Sequence, residues 1–188
     1  MFKLFSSSVQ QPFIGATSKA PIGFCVVWAS LWRCIASPKV CTFVWRLVTD
    51  PLPTGVIKHS RNKEVTNVCP ICGTEPECSF HALCKCPHGK SLWRAMSEVW
   101  RLRRLDLMKN IRPEWLFIYS CDLAEADRIM LYMTLWHIWH CRNEIVHGET
   151  PPPIEASQRF LISYLDSILG IIEGPLFLVL PNTQRRMW

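Results

Sequence analysis

The stretch CPICGTEPECSFHALCKC, residues 69–86, places five cysteines and one histidine within eighteen positions. No apolar periodicity runs through it, so neither a helix face nor a strand face accounts for its composition. A metal ion does. Zinc takes four ligands in tetrahedral array, and a tight turn with two cysteines two residues apart delivers two thiolates to one ion. Cys69 and Cys72 have this spacing, and Pro70 and Gly73 suit the turn, because proline presets one backbone angle and glycine accepts positive φ where the chain leaves the ion. The second pair comes from Cys78, His81, Cys84 and Cys86, and spacing alone leaves it open. His81-x4-Cys86 completes a Cys3His site; Cys78 with Cys84, or Cys84 with Cys86, completes an all-sulfur one. With a single intervening residue, Cys84 and Cys86 chelate one ion poorly.

The chain has 188 residues, enough for a buried core, and 49% of them are hydrophobic, with nine tryptophans. Its ten cysteines would suit a disulfide scaffold in a small secreted protein. The start MFKLFSSSVQQPFIG, however, interrupts its apolar residues with Ser, Gln and Pro before a signal-peptide core forms. A reducing, intracellular location, nucleus or cytoplasm, is therefore expected, and not secretion. The apolar run 22–32 is too short to span a bilayer, and 160–180 is interrupted by Asp166, Glu173 and Pro175, so no membrane association is expected. The net charge is +6, and the first 49 residues hold Lys3, Lys19, Arg33, Lys39 and Arg46 without an acidic residue. That imbalance is compatible with a phosphate-facing surface.

Outward from the cysteine stretch the pattern is helical. Residues 1–26 lack periodicity and read as a poorly ordered lead-in. Trp28, Leu31, Trp32 and Ile35 have helical spacing that ends at Ser37-Pro38, and Val40, Phe43, Val44 and Leu47 share a face of a second helix over 39–48. Thr54 is placed to cap a third, shorter one. Pro87 suits the first turn of a helix carrying Leu92, Trp93, Met96, Val99 and Trp100, with Arg94, Arg101, Arg103 and Arg104 making its exposed side basic. Asp122-Leu-Ala-Glu125 is a capping pattern for one long helix over 123–147, stopped by Gly148 and Pro151 to Pro153. A last helix is expected over 154–169, broken by Gly170, Gly174 and Pro175, with a tail over 170–188. The expected fold is mostly α: short helices around a zinc knuckle, followed by longer helices.

The run SPKVCTFVWRLVTDPLPTGVIKHSRNKEVTNVCPICGTEPECSFHALCKCPHGKSLW, residues 37–93, resembles the zinc-binding domain of plant non-LTR retrotransposon (LINE) reverse transcriptases, which lies between polymerase and ribonuclease H. The landmarks are Pro38-Lys39-Val40, Phe43-Val44-Trp45-Arg46, Leu52-Pro53-Thr54, Arg61, Cys69 and Cys72, Glu75 or Glu77, His81, Cys86 and Trp93. WHIWHCRNEIVHG, residues 136–148, is similar to the Trp-x2-Arg-Asn-x3-His segment that follows this domain. The resemblance implies one structural zinc ion on Cys69, Cys72, His81 and Cys86, with Cys78 and Cys84 as bystanders. It implies a zinc-binding domain over 27–108 and a helical extension over 109–169 toward an absent ribonuclease H domain. A closed four-ligand site leaves no position for catalytic water, and three thiolates with Zn²⁺ carry net charge −1, so basic surface has to attract any nucleic acid. The residues available for RNA or DNA are Lys39, Arg46, Arg94, Arg101, Arg103 and Arg104. Reverse transcriptase domains of a parent element are the other expected partners, and no small-molecule substrate is expected. The opposing reading is a protein-interaction or spacer module, or a non-functional remnant of the element.

Enzymatic readings fail on residue order. A zinc deaminase needs His-x-Glu before Pro-Cys-x-x-Cys, whereas His147-Gly148-Glu149 follows Cys69. Two-metal polymerase or ribonuclease H chemistry needs clustered carboxylates, and the five aspartates at 50, 106, 122, 127 and 166 are dispersed. His137 or His140 beside Cys141, and Trp115, Tyr132, Trp136 and Trp139, are read as packing groups on helix faces, and Arg142-Asn143 as a buried brace to another helix. No catalysis by the chain is expected.

Overall fold

The computed structural model describes residues 31–49, 52–100, 115–120 and 123–177. The chain divides into two compact units, Met1–Arg33 and Cys34–Trp188. Of the first unit residues 31–33 are described and are helical, so the helix expected to reach Ser37 stops before Ile35. The expected lead-in, Arg101, Arg103, Arg104 and Asp122 lie outside the described residues, as does the tail beyond residue 177.

In the second unit the described helices are α1 (Pro38–Thr49), α2 (Gly55–Ser60), a π-helical turn (His81–Lys85), α3 (Pro87–Val99), α4 (Trp115–Ser120), α5 (Glu125–Val146) and α6 (Ile154–Phe177). Among the described residues there is no strand, and Val68 and Pro76 form an isolated antiparallel bridge. The mostly α expectation holds. No described helix is long and apolar enough to cross a membrane.

α5 is the centre of the unit. Seven consecutive residues, Ile129 to Leu135, are all buried, which an amphipathic surface helix cannot achieve. It is covered by α1, the π turn, α3 and α6. α1 contributes Val40, Phe43, Val44 and Leu47, the face expected from their spacing. α3 begins at Pro87 and buries Leu92, Trp93 and Met96, with the Trp93 ring edge-on to Tyr119 of α4 at 6.3 Å. Val99 is its last residue and half exposed, so the apolar face ends a turn earlier than expected. α6 is tied to α3 by a hydrogen bond from Gln158 Nε2 to the Ala95 carbonyl, 2.8 Å.

The helix ends show where local signals gave way to packing. α5 starts at Glu125 with Ala124 as its N-cap, and no side chain caps it. Its other end follows the sequence signal: Gly148, at φ 82°, ends the helix, and Glu149 N–H donates to the Glu144 carbonyl. α6 passes Gly170 and continues to Phe177. An interior glycine costs only ~1 kcal/mol relative to alanine, which does not by itself stop a helix.

Thr54 occupies the N-cap of α2, but its side chain makes no capping bond. Glu77 takes that role: the Gly55 N–H donates to its carboxylate at 2.7 Å, and the Val56 N–H donates to its carbonyl at 3.1 Å. This brings α2 hard against the loop that carries Cys69 and Cys72. A Cβ on Gly55 would lie 2.8 Å from the Asn67 carbonyl oxygen and 3.3 Å from Glu77 Cβ. Gly55→Ala gains ~1 kcal/mol of helix propensity, whereas overpacking against backbone costs ~1–3 kcal/mol. The expected outcome in denaturant unfolding is a net loss of stability; a stabilised variant would show that α2 and the loop are not in forced contact.

Candidate metal centre

The loop before the π turn is a tight return. The Cys69 N–H donates to the Glu75 carbonyl at 2.8 Å, the Gly73 N–H to the Cys69 carbonyl at 2.9 Å, and the Glu77 N–H to the Asn67 carbonyl at 2.8 Å. Gly73 has φ 67°, the left-handed conformation its position predicts. Cys69 and Cys72 therefore sit on one turn.

The second pair comes from the π turn. The Cys86 N–H donates to the His81 carbonyl at 2.7 Å, an i→i+5 closure. An α-helical turn would swing residue i+5 well past residue i, but the wider π turn brings it back to the same side. The His-x4-Cys spacing is thus the spacing of one π turn. Ala82, Leu83 and Cys84 inside it are buried in the core, so the same turn aims its ends at the Cys69–Cys72 turn and its middle at α5. Phe80, just before it, meets Trp115 of α4 edge-on at 5.4 Å.

The structure brings together one ligand atom from each of Cys69, Cys72, His81 and Cys86, all within 4.8 Å of one another. The Cys69 and Cys86 sulfurs are 3.9 Å apart, and Cys72 Sγ is 3.4 Å from His81 Nε2. Zinc–sulfur bonds of ~2.3 Å and zinc–nitrogen bonds of ~2.0 Å in a tetrahedron set edges of roughly 3.8 and 3.5 Å. The donor set fits such an ion. His81 Nδ1 lies 3.1 Å from Glu75 Oε2; a carboxylate can only accept, so Nδ1 carries the hydrogen and the Nε2 lone pair faces the cluster. Glu75 side chain is mostly exposed and orients the ring from the solvent side.

The thiols differ in their readiness to ionise. The Thr74 hydroxyl, 3.3 Å from Cys72 Sγ, together with backbone N–H groups of Thr74 and Glu75, draws the Cys72 thiol down to about 6. Burial pushes Cys86 up to about 12 and raises Cys69. A cation bound among them removes this desolvation cost and displaces the protons. Cys84 belongs to the core, and burial holds its thiol well above the ordinary range. Cys78 is exposed, with its sulfur accepting the His81 N–H at 3.3 Å.

Glu77 is wholly buried and is held by Arg142 of α5: Nε donates to Oε1 at 2.8 Å and Nη2 to Oε2 at 2.6 Å. Arg142 is 3% exposed, stacks over the Trp139 ring at 4.8 Å, and gives Nη1 to Asn143 Oδ1 at 3.0 Å. The two acids left undistinguished by sequence thus have separate tasks, Glu75 on His81 and Glu77 on Arg142. The buried brace expected of Arg142 is present, but it reaches Glu77 in the loop and not another helix.

Of the basic residues named from sequence, Lys39 and Arg46 line one cleft between α1 and α5. Arg94 is exposed on α3 and does not line that cleft. Trp115, Tyr132 and Trp139 are core residues, while Trp136 is half-buried. His137 Nε2 lies 3.5 Å from Cys141 Sγ, but burial holds the Cys141 thiol up at about 11 and the His137 imidazole down at about 4. Both stay neutral, the opposite of an activated thiolate–imidazolium pair.

Residues 16–93 match the family described as zinc-binding in reverse transcriptase. That segment is similar to this family, in keeping with its landmarks; the match begins inside the expected lead-in and contains all four clustered residues, whereas Arg142 lies beyond it. A protein of Arabidopsis thaliana named for ribonuclease H is 25% identical over 123 residues, 63% of this chain. The chain spans about 20% of that relative's length. No solved structure matches.

Metal content by mass spectrometry of the purified chain tests the cluster. Cys69→Ser is expected to abolish bound metal, while Cys78→Ser and Cys84→Ala each retain one equivalent. Equal loss in all three would overturn the ligand set.

Proposed function

We propose that this chain is a non-catalytic module of a LINE-type retrotransposon polyprotein that holds one structural zinc ion and assists the binding of RNA or DNA. Cys69, Cys72, His81 and Cys86 would hold the ion, and their complete donor set supports a structural role, because four protein ligands leave no open position for a substrate or an activated water. When bound, the ion supplies a cross-link between the loop and the π turn. Glu75 fixes the histidine tautomer, and Glu77 and Arg142 fix the loop on α5.

The observation that carries the nucleic-acid reading is the exposed pair Lys39 and Arg46 in one cleft, on a chain of net charge +6. Phosphate neutralisation by such groups releases counterions and makes affinity fall with salt. The Arabidopsis relative's name, for ribonuclease H, is in keeping with a place beside nucleic-acid chemistry. The dispersed aspartates and the neutral His137–Cys141 pair support the absence of catalysis by the chain itself.

Filter binding of single-stranded RNA to the zinc-loaded chain at 50 and 200 mM salt tests the reading. With two phosphate contacts, from Lys39 and Arg46, affinity is expected to drop by roughly sevenfold across that range. No binding at the lower salt would contradict it and favour a protein-interaction or spacer module.

A further inference from the structure

Resting on the nucleic-acid reading, we propose that the cleft between α1 and α5 is a stacking site for unpaired bases of a single-stranded nucleic acid. Trp45 and Trp136 supply the platforms, and Lys39 and Arg46 hold the flanking phosphates. The cleft has a volume of about 600 Å³, within the ~300–1,000 Å³ usual for ligand clefts. Its lining includes Lys39, Trp45, Arg46, Trp136, Trp139 and Asn143, and among the described residues no carboxylate.

Three observations carry the choice of occupant. Trp45 is 38% exposed although the rest of the apolar side of α1 is buried, so its indole is not needed by the core. Trp136 is half-buried and stacked on His140, with ring centroids 5.5 Å apart and planes 17° apart, which braces the indole in place. Lys39 and Arg46 are seven residues apart on α1, two turns or roughly 10 Å along its axis, so they flank the aromatic patch rather than crowd it.

Charge selects among occupants. Arg142, also on α5, is neutralised by Glu77, whereas Lys39 and Arg46 are exposed cations. An acidic backbone bearing flat aromatic bases complements this lining at every element: phosphate to the cations, π faces to the indoles, and base edges to the Asn143 amide. A duplex hides the base faces and cannot use the tryptophans. The site lies on α1 and α5, not on the metal cluster, which agrees with the negative charge of a three-thiolate zinc centre.

The test uses the full chain, zinc-loaded, and compares fluorescence anisotropy for a labelled single strand, RNA and DNA in separate arms, an abasic strand of equal length, and a duplex. Expected are tighter binding of the base-bearing strand than of the abasic one, weaker binding of the duplex, and a fall of about fivefold or more for the single strand in Trp45→Ala. Affinity for the abasic strand should be nearly unchanged in that variant. Lys39→Gln with Arg46→Gln should weaken both strands and flatten the salt dependence. Crosslinking of a 5-bromouridine strand should map to the peptides bearing Trp45 or Trp136, a readout independent of folding losses. If the native chain binds no strand, the function proposed above fails; if it binds but Trp45→Ala, the abasic strand and the crosslinks show no involvement of the cleft, this inference alone is overturned.

Discussion

A carboxylate and a guanidinium, both withdrawn from water, join the loop of the clustered cysteines to the central helix. Glu77 accepts two hydrogen bonds from Arg142 and a third from the first N–H of α2, and its own N–H and carbonyl pair with Asn67 and Val56. One residue thereby fixes three things: the start of α2, the base of the Cys69–Cys72 turn, and the distance of both from α5. Such an arrangement is costly to assemble, since each buried ion loses several kcal/mol of hydration, and costly to break, since removing one partner strands the other at ~3–5 kcal/mol. The bidentate geometry, the Trp139 face under the guanidinium and the Asn143 bond are what make it affordable.

Around this pair the metal cluster reads as the second fastening of the same loop. In and just after the Cys69–Cys72 turn, Pro70, Gly73 and Thr74 are exposed. Its partners in the cluster, His81 and Cys86, bound the π turn, whose middle is buried against α5. A metal bound across the two would tie a polar loop to a packed one, while the ion pair ties its other end to the same helix. The loop is held at both ends and owes little to its own core.

The four clustered residues were legible because zinc chemistry constrains residue type and spacing, and because the flanking landmarks chose among six candidates. The His-x4-Cys interval carried the π turn implicitly. The Glu77–Arg142 pair was not legible, since its members are 65 residues apart and no local pattern relates them. Thr54 looked like a cap because N-cap preference is local, and it lost to a carboxylate delivered by tertiary packing. The α1 face was read correctly from period alone, as was the stop at Gly148, where a single residue must adopt positive φ. The separation of Trp136 from the core residues Trp115 and Trp139 needed the fold, because helical spacing cannot say which turn of a long helix runs past its neighbours.

Arg142 lies outside the matched family segment yet holds the loop of Cys69 and Cys72, and chelator competition with the Arg142→Met variant of the zinc-loaded chain measures that dependence directly. If Glu77 and Arg142 anchor the loop, zinc affinity falls by about tenfold or more, as expected for coupled sites, while circular dichroism shows the helices retained. Replacing both residues by methionine then recovers part of the loss, because no orphaned charge remains. Native zinc affinity in a folded Arg142→Met variant would contradict the claim.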